Sequence, residues 1–230
     1  MEPPADRILA NLGEVRERLA AAAARSGRPP QAARLVAVTK AVEPDAIRIL
    51  AEAGQKDIGE NRPQQLRDRA RLLAGLPVAW HFIGQLQRNK IKYVVPAAAM
   101  IHSVDRLDLA EEISRRAQAA ACRATCLLEI NSGEEQKAGV PPAEAPALAR
   151  AAAALPGIDL VGLMTMAPLV ENPETVRPIF AALRQLLERI NREAALPRPL
   201  TELSMGMTQD YEAAVEEGAT IVRVGTALFR

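Results

Sequence analysis

A lysine stands where an apolar, strand-like run ends. The run RLVAVT covers residues 34–39, Lys40 follows it directly, and EPDAIRIL then has the pattern of a helix start. A lysine that leaves the rim of a sheet beside packed neighbours is partly desolvated, which favours the neutral amine that forms a Schiff base with an aldehyde. We predict that Lys40 is reactive, although an ordinary solvated loop lysine would fit the same position.

Two segments near the end of the chain are typical of a phosphate site. LSMGMTQD places Ser204 at the end of the seventh strand-like run, and VRVGTALF places Gly225 and Thr226 after the eighth. Glycine lets the backbone approach a ligand closely, and hydroxyl groups donate hydrogen bonds to phosphate oxygens. We therefore predict that these three residues hold a phosphate.

Three further polar residues accompany these strand ends. Arg223 lies within the apolar run TIVRVG, where an unpaired charge is costly, so we expect it to meet a specific acceptor. His81 in AWHFIG fits a ligand contact or a hydrogen-bonded core histidine. Asn61 in GENRPQQ fits a ligand contact or the N-cap of the following helix. The remaining strand-end residues of this pattern are Glu60, Ser103, Asn131 and Met164.

Together these groups fit a phosphorylated aldehyde. A reactive lysine, a phosphate cradle and a buried arginine suit pyridoxal 5′-phosphate, with Lys40 on the aldehyde carbon and Arg223 near the ring nitrogen. A sugar phosphate that forms a Schiff base with Lys40, as in a barrel lyase, remains an alternative.

Eight strand-like runs alternate with helical patterns, and these elements must position the residues above. The predicted strands cover residues 34–39, 56–59, 79–84, 100–104, 123–130, 158–165, 201–205 and 220–224. Strands separated by helices pair in parallel, and eight such units predict an α/β fold, a (β/α)₈ TIM barrel preceded by an extra N-terminal helix. An open doubly wound sheet is the alternative, although no G-x-G-x-x-G follows the first strand. We expect one domain over residues 1–230.

Composition limits the class of function. The formal net charge is +1, which gives no field for nucleic acid or an anionic membrane. Cys122 and Cys126 fit apolar packing, and without a nearby histidine we predict no metal site. The first 27 residues mix charges with apolar positions and predict an amphipathic helix, so we expect a cytoplasmic protein without a signal peptide or membrane span.

Several motifs occur in an order that resembles one known family. They are AVTK, GEN, WHFIGQLQRNK, SVDR, INSGEEQKAG, GLMTMAP and LSMGMTQDYEAAVEEGATIVRVGTALF. On these motifs the sequence resembles the YggS/PROSC family, the pyridoxal phosphate homeostasis proteins, across nearly the whole chain. Relatives often have a Gln-Glu pair after GEN, where this chain reads RPQQ.

The resemblance implies a fold-type III pyridoxal phosphate barrel, similar to the N-terminal domain of alanine racemase. It implies that Lys40 carries the Schiff base and that Arg223 faces the ring nitrogen. It places Ser204, Gly225 and Thr226 on the phosphate and Asn61 and His81 near the ring.

The function expected from this resemblance is homeostasis or delivery of pyridoxal phosphate without robust turnover, with transient contacts to apo-enzymes that use the cofactor. An arginine at the ring nitrogen disfavours ring protonation, and a racemase would need a second base, for which the chain offers two tyrosines, Tyr93 and Tyr211. A weak amino-acid racemase or related pyridoxal phosphate enzyme is the alternative. We expect a monomer.

Overall fold

The computed structural model describes residues 3–133 and 138–230. The middle of the INSGEEQKAG motif, residues 134–137, lies outside the described residues. The strands are β1 (Arg34–Val38), β2 (Asp57–Glu60), β3 (Ala79–Phe82), β4 (Met100–Val104), β5 (Ala124–Glu129), β6 (Ile158–Met164), β7 (Glu202–Ser204) and β8 (Ile221–Val224). The helices are α1 (Ala5–Arg25), α2 (Pro44–Glu52), α3 (Pro63–Leu72), α4 (Ile91–Val94), α5 (Leu107–Ala119), α6 (Ala145–Ala153), α7 (Arg177–Glu193) and α8 (Tyr211–Glu216).

The eight strands form a closed parallel barrel in sequence order. Closure is made by β1 and β8, whose register pairs Arg34 with Ile221 and Val36 with Arg223. Because the connections carry helices, the outward side chains of the strands pack under a helical layer in one large apolar core. The predicted fold class, with its additional N-terminal helix, is confirmed, and the open sheet is excluded.

The inside of the barrel is divided between apolar and polar side chains. Val36, Met100, Leu127, Met164 and Ile221 form a small apolar cluster that is separate from the outer core. The polar part is contributed mainly by β2, β3, β4, β7 and β8, and its side chains are joined by hydrogen bonds described below. This polar part leads to the carboxyl ends of the strands.

Helix α1 is fixed to the last α/β unit by charge pairs. Arg18 and Arg25 each contact Glu212 on α8, at 2.5 and 2.9 Å, and Arg25 also contacts Glu216 at 2.6 Å. The apolar face of α1, which includes Leu12, is buried in the outer core. The N-terminal helix therefore supports the two strands that close the barrel.

Apolar packing, which the sequence suggested for both cysteines, is found at one of them. Cys122 is exposed and precedes β5, whereas Cys126 is buried within it. Among residues 3–133 and 138–230 no group of three or more His, Cys, Asp or Glu side chains is arranged to hold a metal ion. Within that same range, no helix is both long and apolar enough to cross a membrane.

Candidate functional site

A cavity of about 960 Å³ opens at the carboxyl ends of the strands. Five of the seven predicted site residues line it: Lys40, Asn61, Arg223, Gly225 and Thr226. The other two, His81 and Ser204, lie inside the barrel and do not contribute to its lining. Polar and reactive groups from the first, second and last strands are therefore brought to one place.

Lys40 follows β1 and reaches the cavity with an exposed side chain. The strand ends before the lysine, so Lys40 is more exposed than its place directly after an apolar run suggested. Among the described residues, Lys40 is the one lysine that lines the cavity. Its backbone is held in place by Gln65 on α3, whose Nε2 donates to the carbonyl of Lys40 at 3.2 Å.

A buried ion pair supports the turn that carries Lys40. Arg69 on α3 contacts Glu60 at the end of β2 at 2.5 Å and also donates to the backbone carbonyls of Thr39 and Val42. The Thr39 hydroxyl donates to the same Glu60 oxygen at 2.5 Å. Removing one member of such a pair leaves a buried charge without compensation, so these residues fix where β1 ends. Glu60 therefore orients the site from outside the barrel rather than lining it.

Asn61 presents an acceptor that the protein itself does not use. Its Oδ1 is buried and has no hydrogen-bond partner among the described residues, and the residue lines the cavity. The N-cap of α3 is Arg62, so the alternative reading of Asn61 as the helix cap is wrong. Close approach is enforced at Gly84, where an added Cβ would lie 2.2 Å from the Asn61 carbonyl oxygen.

The end of β8 presents backbone and a hydroxyl group to the cavity. A Cβ at Gly225 would come within 3.1 Å of the Val38 carbonyl oxygen, so a larger residue directly after β8 would crowd the end of β1. The exposed Thr226 follows it, and Thr208 beyond β7 supplies a second hydroxyl side chain to the lining. Gly225 and Thr226 thus lie together on the cavity wall as predicted, and Thr208 lines it with them, whereas Ser204 does not.

Arg223 is buried and meets the specific acceptors expected from the sequence. Its Nη1 donates to Ser204 Oγ at 2.6 Å, and its Nη2 donates to the Thr165 carbonyl at 2.8 Å. Burial lowers the pKa of Arg223 to about 10, opposed by the nearby carboxyl groups of Glu129 and Asp210, so the guanidinium stays charged at neutral pH. Arg223 and His102 already share the Ser204 hydroxyl, and Ser204 does not line the cavity, so its contact with a phosphate stays a prediction.

His81 is a hydrogen-bonded core residue, which is the second of the two interpretations drawn from its sequence. It is 2% exposed; its Nδ1 lies 2.9 Å from His102 Nε2, and its Nε2 lies 2.9 Å from Asp57 Oδ1. The expected position beside a ligand ring is therefore not what the structure shows. His81 is connected to the cavity only through His102, Ser204 and Arg223.

Glu129 is a functional candidate that the sequence analysis missed. It ends β5, lines the cavity and is 3% exposed. Burial raises the pKa of Glu129 to about 7, Asp105 adds to the shift, and Arg223 opposes it. A carboxylic acid inside the apolar run CLLEI was the available signal. The site thus contains an acid that can be neutral or charged near physiological pH.

Three other strand-end residues are not part of this cavity. Asn131 lines a separate cavity of about 320 Å³ and accepts a hydrogen bond from the Gly133 amide at 2.7 Å. Met164 belongs to the apolar cluster inside the barrel, and Ser103 is buried within β4. The assumption that every polar residue at a strand end faces one cavity therefore overestimates the number of residues that line it.

The sequence has close relatives of known family. Residues 10–230 match the model of the alanine racemase N-terminal domain. A pyridoxal phosphate homeostasis protein of Aquifex aeolicus is 45% identical over 219 residues, which are 95% of each chain, and that of Escherichia coli K12 is 38% identical over 226 residues, which are 96% of this chain and 95% of that one. The chain belongs to the pyridoxal phosphate homeostasis protein family. The resemblance drawn from the sequence motifs is confirmed.

Solved structures agree with this assignment. PipY of Synechococcus elongatus PCC7942, in the structure with pyridoxal phosphate bound, is 36% identical with a TM-score of 0.84, covering 97% of this chain and 100% of that one. An alanine racemase of Clostridium difficile 630 is 15% identical with a TM-score of 0.76, covering 97% of this chain but 56% of the racemase. The second likeness concerns the fold alone.

Proposed function

We propose that this protein binds pyridoxal 5′-phosphate through a Schiff base on Lys40 and serves the intracellular homeostasis or delivery of the cofactor, without robust turnover. The observation that carries the proposal is the position of Lys40. It is the one described lysine in a cavity whose lining also contains the buried Arg223 and the hydroxyl of Thr226.

The residues present fit the cofactor. The volume of about 960 Å³ lies within the range of ordinary small-molecule sites. The buried Asn61 Oδ1 has no partner among the described residues, which is expected of a group that binds a ligand. Gly225 leaves the backbone accessible where a larger residue would meet Val38. These features supply an amine, a cation, an acceptor and a cradle on different sides of one cavity.

Each residue has a distinct role in this proposal. Lys40 Nζ forms a C=N bond with the aldehyde carbon, and the aldehyde oxygen leaves as water, so no oxidant or reductant is needed. Gly225, Thr226 and Thr208 hold the phosphate through backbone N–H groups and hydroxyls. Asn61 orients the ring from the β2 side.

Arg223 sets the electronic character of the site. Pyridoxal phosphate supplies an electron-accepting pyridine ring when it is bound. A charged guanidinium facing the ring nitrogen disfavours protonation there, because two positive charges would lie side by side in a buried place. Arg223 cannot turn away easily, since both Nη atoms are already engaged by Ser204 and Thr165. The site therefore favours retention of the cofactor over catalysis with it.

The positions of the tyrosines support binding rather than racemisation. A racemase needs a second base on the opposite face of its substrate. Tyr211 is 2% exposed and packs beneath Arg18 of α1, and Tyr93 lies beside Arg67 and Lys92. Neither tyrosine lines the cavity. We also propose that the protein is a monomer; light scattering that finds a stable dimer would contradict this.

The test is to locate the cofactor chemically and to search for turnover. Protein incubated with pyridoxal phosphate should turn yellow, and borohydride reduction followed by peptide mapping should place the label on Lys40. A label on Lys90 or Lys92 would refute the assignment. Incubation of the loaded protein with individual amino acids in deuterated water should give no appreciable exchange of the α-hydrogen, and rapid exchange would favour the racemase.

A further inference from the structure

A chain of four hydrogen bonds crosses the inside of the barrel. Asp57 Oδ1 lies 2.9 Å from His81 Nε2, His81 Nδ1 lies 2.9 Å from His102 Nε2, and His102 Nδ1 lies 2.9 Å from Ser204 Oγ. Arg223 Nη1 then donates to Ser204 Oγ at 2.6 Å. Asp57 begins β2 and is partly exposed, whereas Arg223 lines the cavity at the opposite end.

The residues at the two ends of this hydrogen-bond chain, Arg223 and Asp57, have fixed donor and acceptor roles. A guanidinium can only donate hydrogen bonds, and an ionised carboxylate can only accept them. Burial would raise the pKa of Asp57, but the hydrogen bond from His81 and the nearby charges of Arg34 and Lys56 outweigh it, so the net pKa is lowered and Asp57 is ionised at neutral pH. Arg223 therefore donates into the chain at one end, and Asp57 accepts at the other.

The proton positions between these ends follow from Asp57. Its carboxylate requires an N–H at His81 Nε2, so a singly protonated His81 accepts at Nδ1. His102 must then carry its proton at Nε2 and accept at Nδ1, because burial, together with the charges of Arg223 and Arg34, lowers its pKa well below the ordinary value and keeps it neutral. The Ser204 hydroxyl donates to that nitrogen, which leaves its oxygen lone pairs for Arg223.

The reverse direction would place two donors on one oxygen. If His102 carried its proton at Nδ1, Ser204 Oγ would receive both His102 and Arg223 and would need another acceptor for its own proton. All three of these groups are buried, and a buried hydroxyl proton without an acceptor is costly. The forward direction leaves every donor in the chain with an acceptor.

We propose that Asp57 is a positioning residue for Arg223, acting across the barrel by fixing the tautomers of His81 and His102 and the hydroxyl direction of Ser204. The effect on the cofactor rests on the function proposed above, whereas the effect on Arg223 can be measured without any cofactor. The carboxylate at the amino end of β2 thereby determines how firmly the guanidinium is held in the cavity.

The two histidines make this chain directly observable. The protein contains two histidines, and both belong to the chain. In ¹⁵N-labelled protein without cofactor, long-range ¹H–¹⁵N spectra near neutral pH should show both rings protonated at Nε2. A ring protonated at Nδ1, or a doubly protonated His102, would overturn the proposal.

The decisive variant is Asp57→Ala, with Asp159→Ala as its matched control. Asp159 also lies near the start of a strand and is partly exposed, but it pairs with Arg198 and is outside the chain. Asp57→Ala should give mixed tautomers at both histidines and faster solvent exchange of the Arg223 guanidinium protons. If Asp57→Ala and Asp159→Ala have the same tautomers and the same exchange rates, the proposal is wrong.

Two further variants separate positioning from folding. Asp57→Asn keeps an oxygen that can accept from His81, so it should restore the tautomers and the slow exchange that Asp57→Ala loses. Ser204→Ala interrupts the hydrogen-bond chain beside Arg223. It should speed solvent exchange of the Arg223 guanidinium protons while His81 keeps its contact with Asp57. If Asp57→Ala does not fold, the wild-type tautomers and Ser204→Ala still decide the matter, and slow Arg223 exchange in Ser204→Ala would contradict it.

Binding of pyridoxal phosphate completes the test. Loss of about one hydrogen bond of positioning corresponds to roughly fivefold weaker binding, so Asp57→Ala should bind about fivefold less tightly than Asp159→Ala. Equal binding by the two variants, with altered tautomers, would refute the link to the cofactor site. If the wild-type protein itself failed to bind pyridoxal phosphate, the proposed function would fail, and the spectra of the cofactor-free protein would still decide the role of Asp57.

Discussion

Charged and polar side chains have different surroundings at the two ends of the barrel. At the amino end, charged side chains meet partners of opposite character within the protein. Arg34 contacts Glu202 at 3.1 Å, Arg198 contacts Asp159, and Asp57 accepts a hydrogen bond from His81. These residues lie at the starts of strands or beside them, where they close the bottom of the barrel.

At the carboxyl end, the polar groups face a cavity instead. Lys40 and Thr226 are exposed to it, and Asn61 Oδ1 is buried without a partner among the described residues. Glu129 is held there with a raised pKa by burial. Such an arrangement reduces stability unless a ligand supplies the missing partners. Apart from Asp57, which acts through the hydrogen-bond chain inside the barrel, the contrast favours a stabilising role for the amino end and a binding role for the carboxyl end.

The largest effect is expected from Lys40→Ala, which removes the amine at the carboxyl end. The variant should lose the yellow Schiff-base absorbance completely and yet bind pyridoxal phosphate weakly, because each charge-assisted hydrogen bond to the phosphate still contributes roughly 1.5 to 3 kcal/mol. Added cofactor should therefore still raise its melting temperature at high concentration. Lys92→Ala, which removes a lysine beside Tyr93, is the control and should behave as the wild type.

The next effect concerns Glu129 and the pH dependence of stability. Its folded pKa of about 7 lies above the reference value of 4.5, so between these pH values the folded protein holds a proton that the unfolded chain releases. Raising the pH through this interval should therefore destabilise the wild type by up to about 3 kcal/mol, and the loss should be complete above pH 7.

Glu129→Gln should lack this part of the pH dependence, as measured by denaturant unfolding of cofactor-free protein across the interval. Glu111→Gln on the surface of α5 is the control and should retain it. Parallel pH profiles for wild type and Glu129→Gln would mean that the carboxyl group is better solvated than its burial indicates.

A smaller effect is expected from Thr226→Val, which removes a hydroxyl donor with little change of shape. Loss of one hydrogen bond to the phosphate should weaken binding of pyridoxal phosphate by roughly fivefold and leave the Schiff base intact. Titration followed by absorbance measures this change. Thr201→Val, at an exposed position before β7, should bind as the wild type does; a comparable loss there would show that the assay reports stability and not phosphate contact.

The smallest effect is expected at the amino end. Asp159→Ala removes a partly exposed ion pair with Arg198, and such pairs contribute between zero and about 1 kcal/mol. The melting temperature should fall slightly, and the affinity for pyridoxal phosphate should not change. A clear loss of affinity would contradict the assignment of a stabilising role to this ion pair at the amino end of the barrel.

The fold was predictable because its signals are local and repeated. Eight apolar runs separated by helical patterns lead directly to a closed parallel barrel, and all eight strands lie within two residues of their predicted starts and ends. Lys40, Gly225 and Thr226 were also predictable, since each follows a strand that ends at the cavity.

The remaining residues depend on geometry that sequence does not contain. Which strand residues point inward at the level of the cavity depends on the stagger of the strands. For this reason the sequence analysis expected His81 and Ser204 at the cavity, although both lie deeper inside the barrel, and it overlooked Glu129. Gln65 and Arg69 act from a helix on the outside of the barrel, and their spacing on α3 gives no sign of their contacts with the turn after β1.

The cavity also depends on the pairing of β1 with β8. Lys40 follows the first strand and Arg223 lies on the last, so the cavity forms only when the two ends of the sheet meet. This contact joins the most distant parts of the barrel sequence, and closing so long a loop costs the most chain entropy of any strand pairing in it. A ligand bound between Lys40 and Gly225 would bridge the ends of β1 and β8, and it would stabilise the closed barrel but not a chain in which these strands are apart.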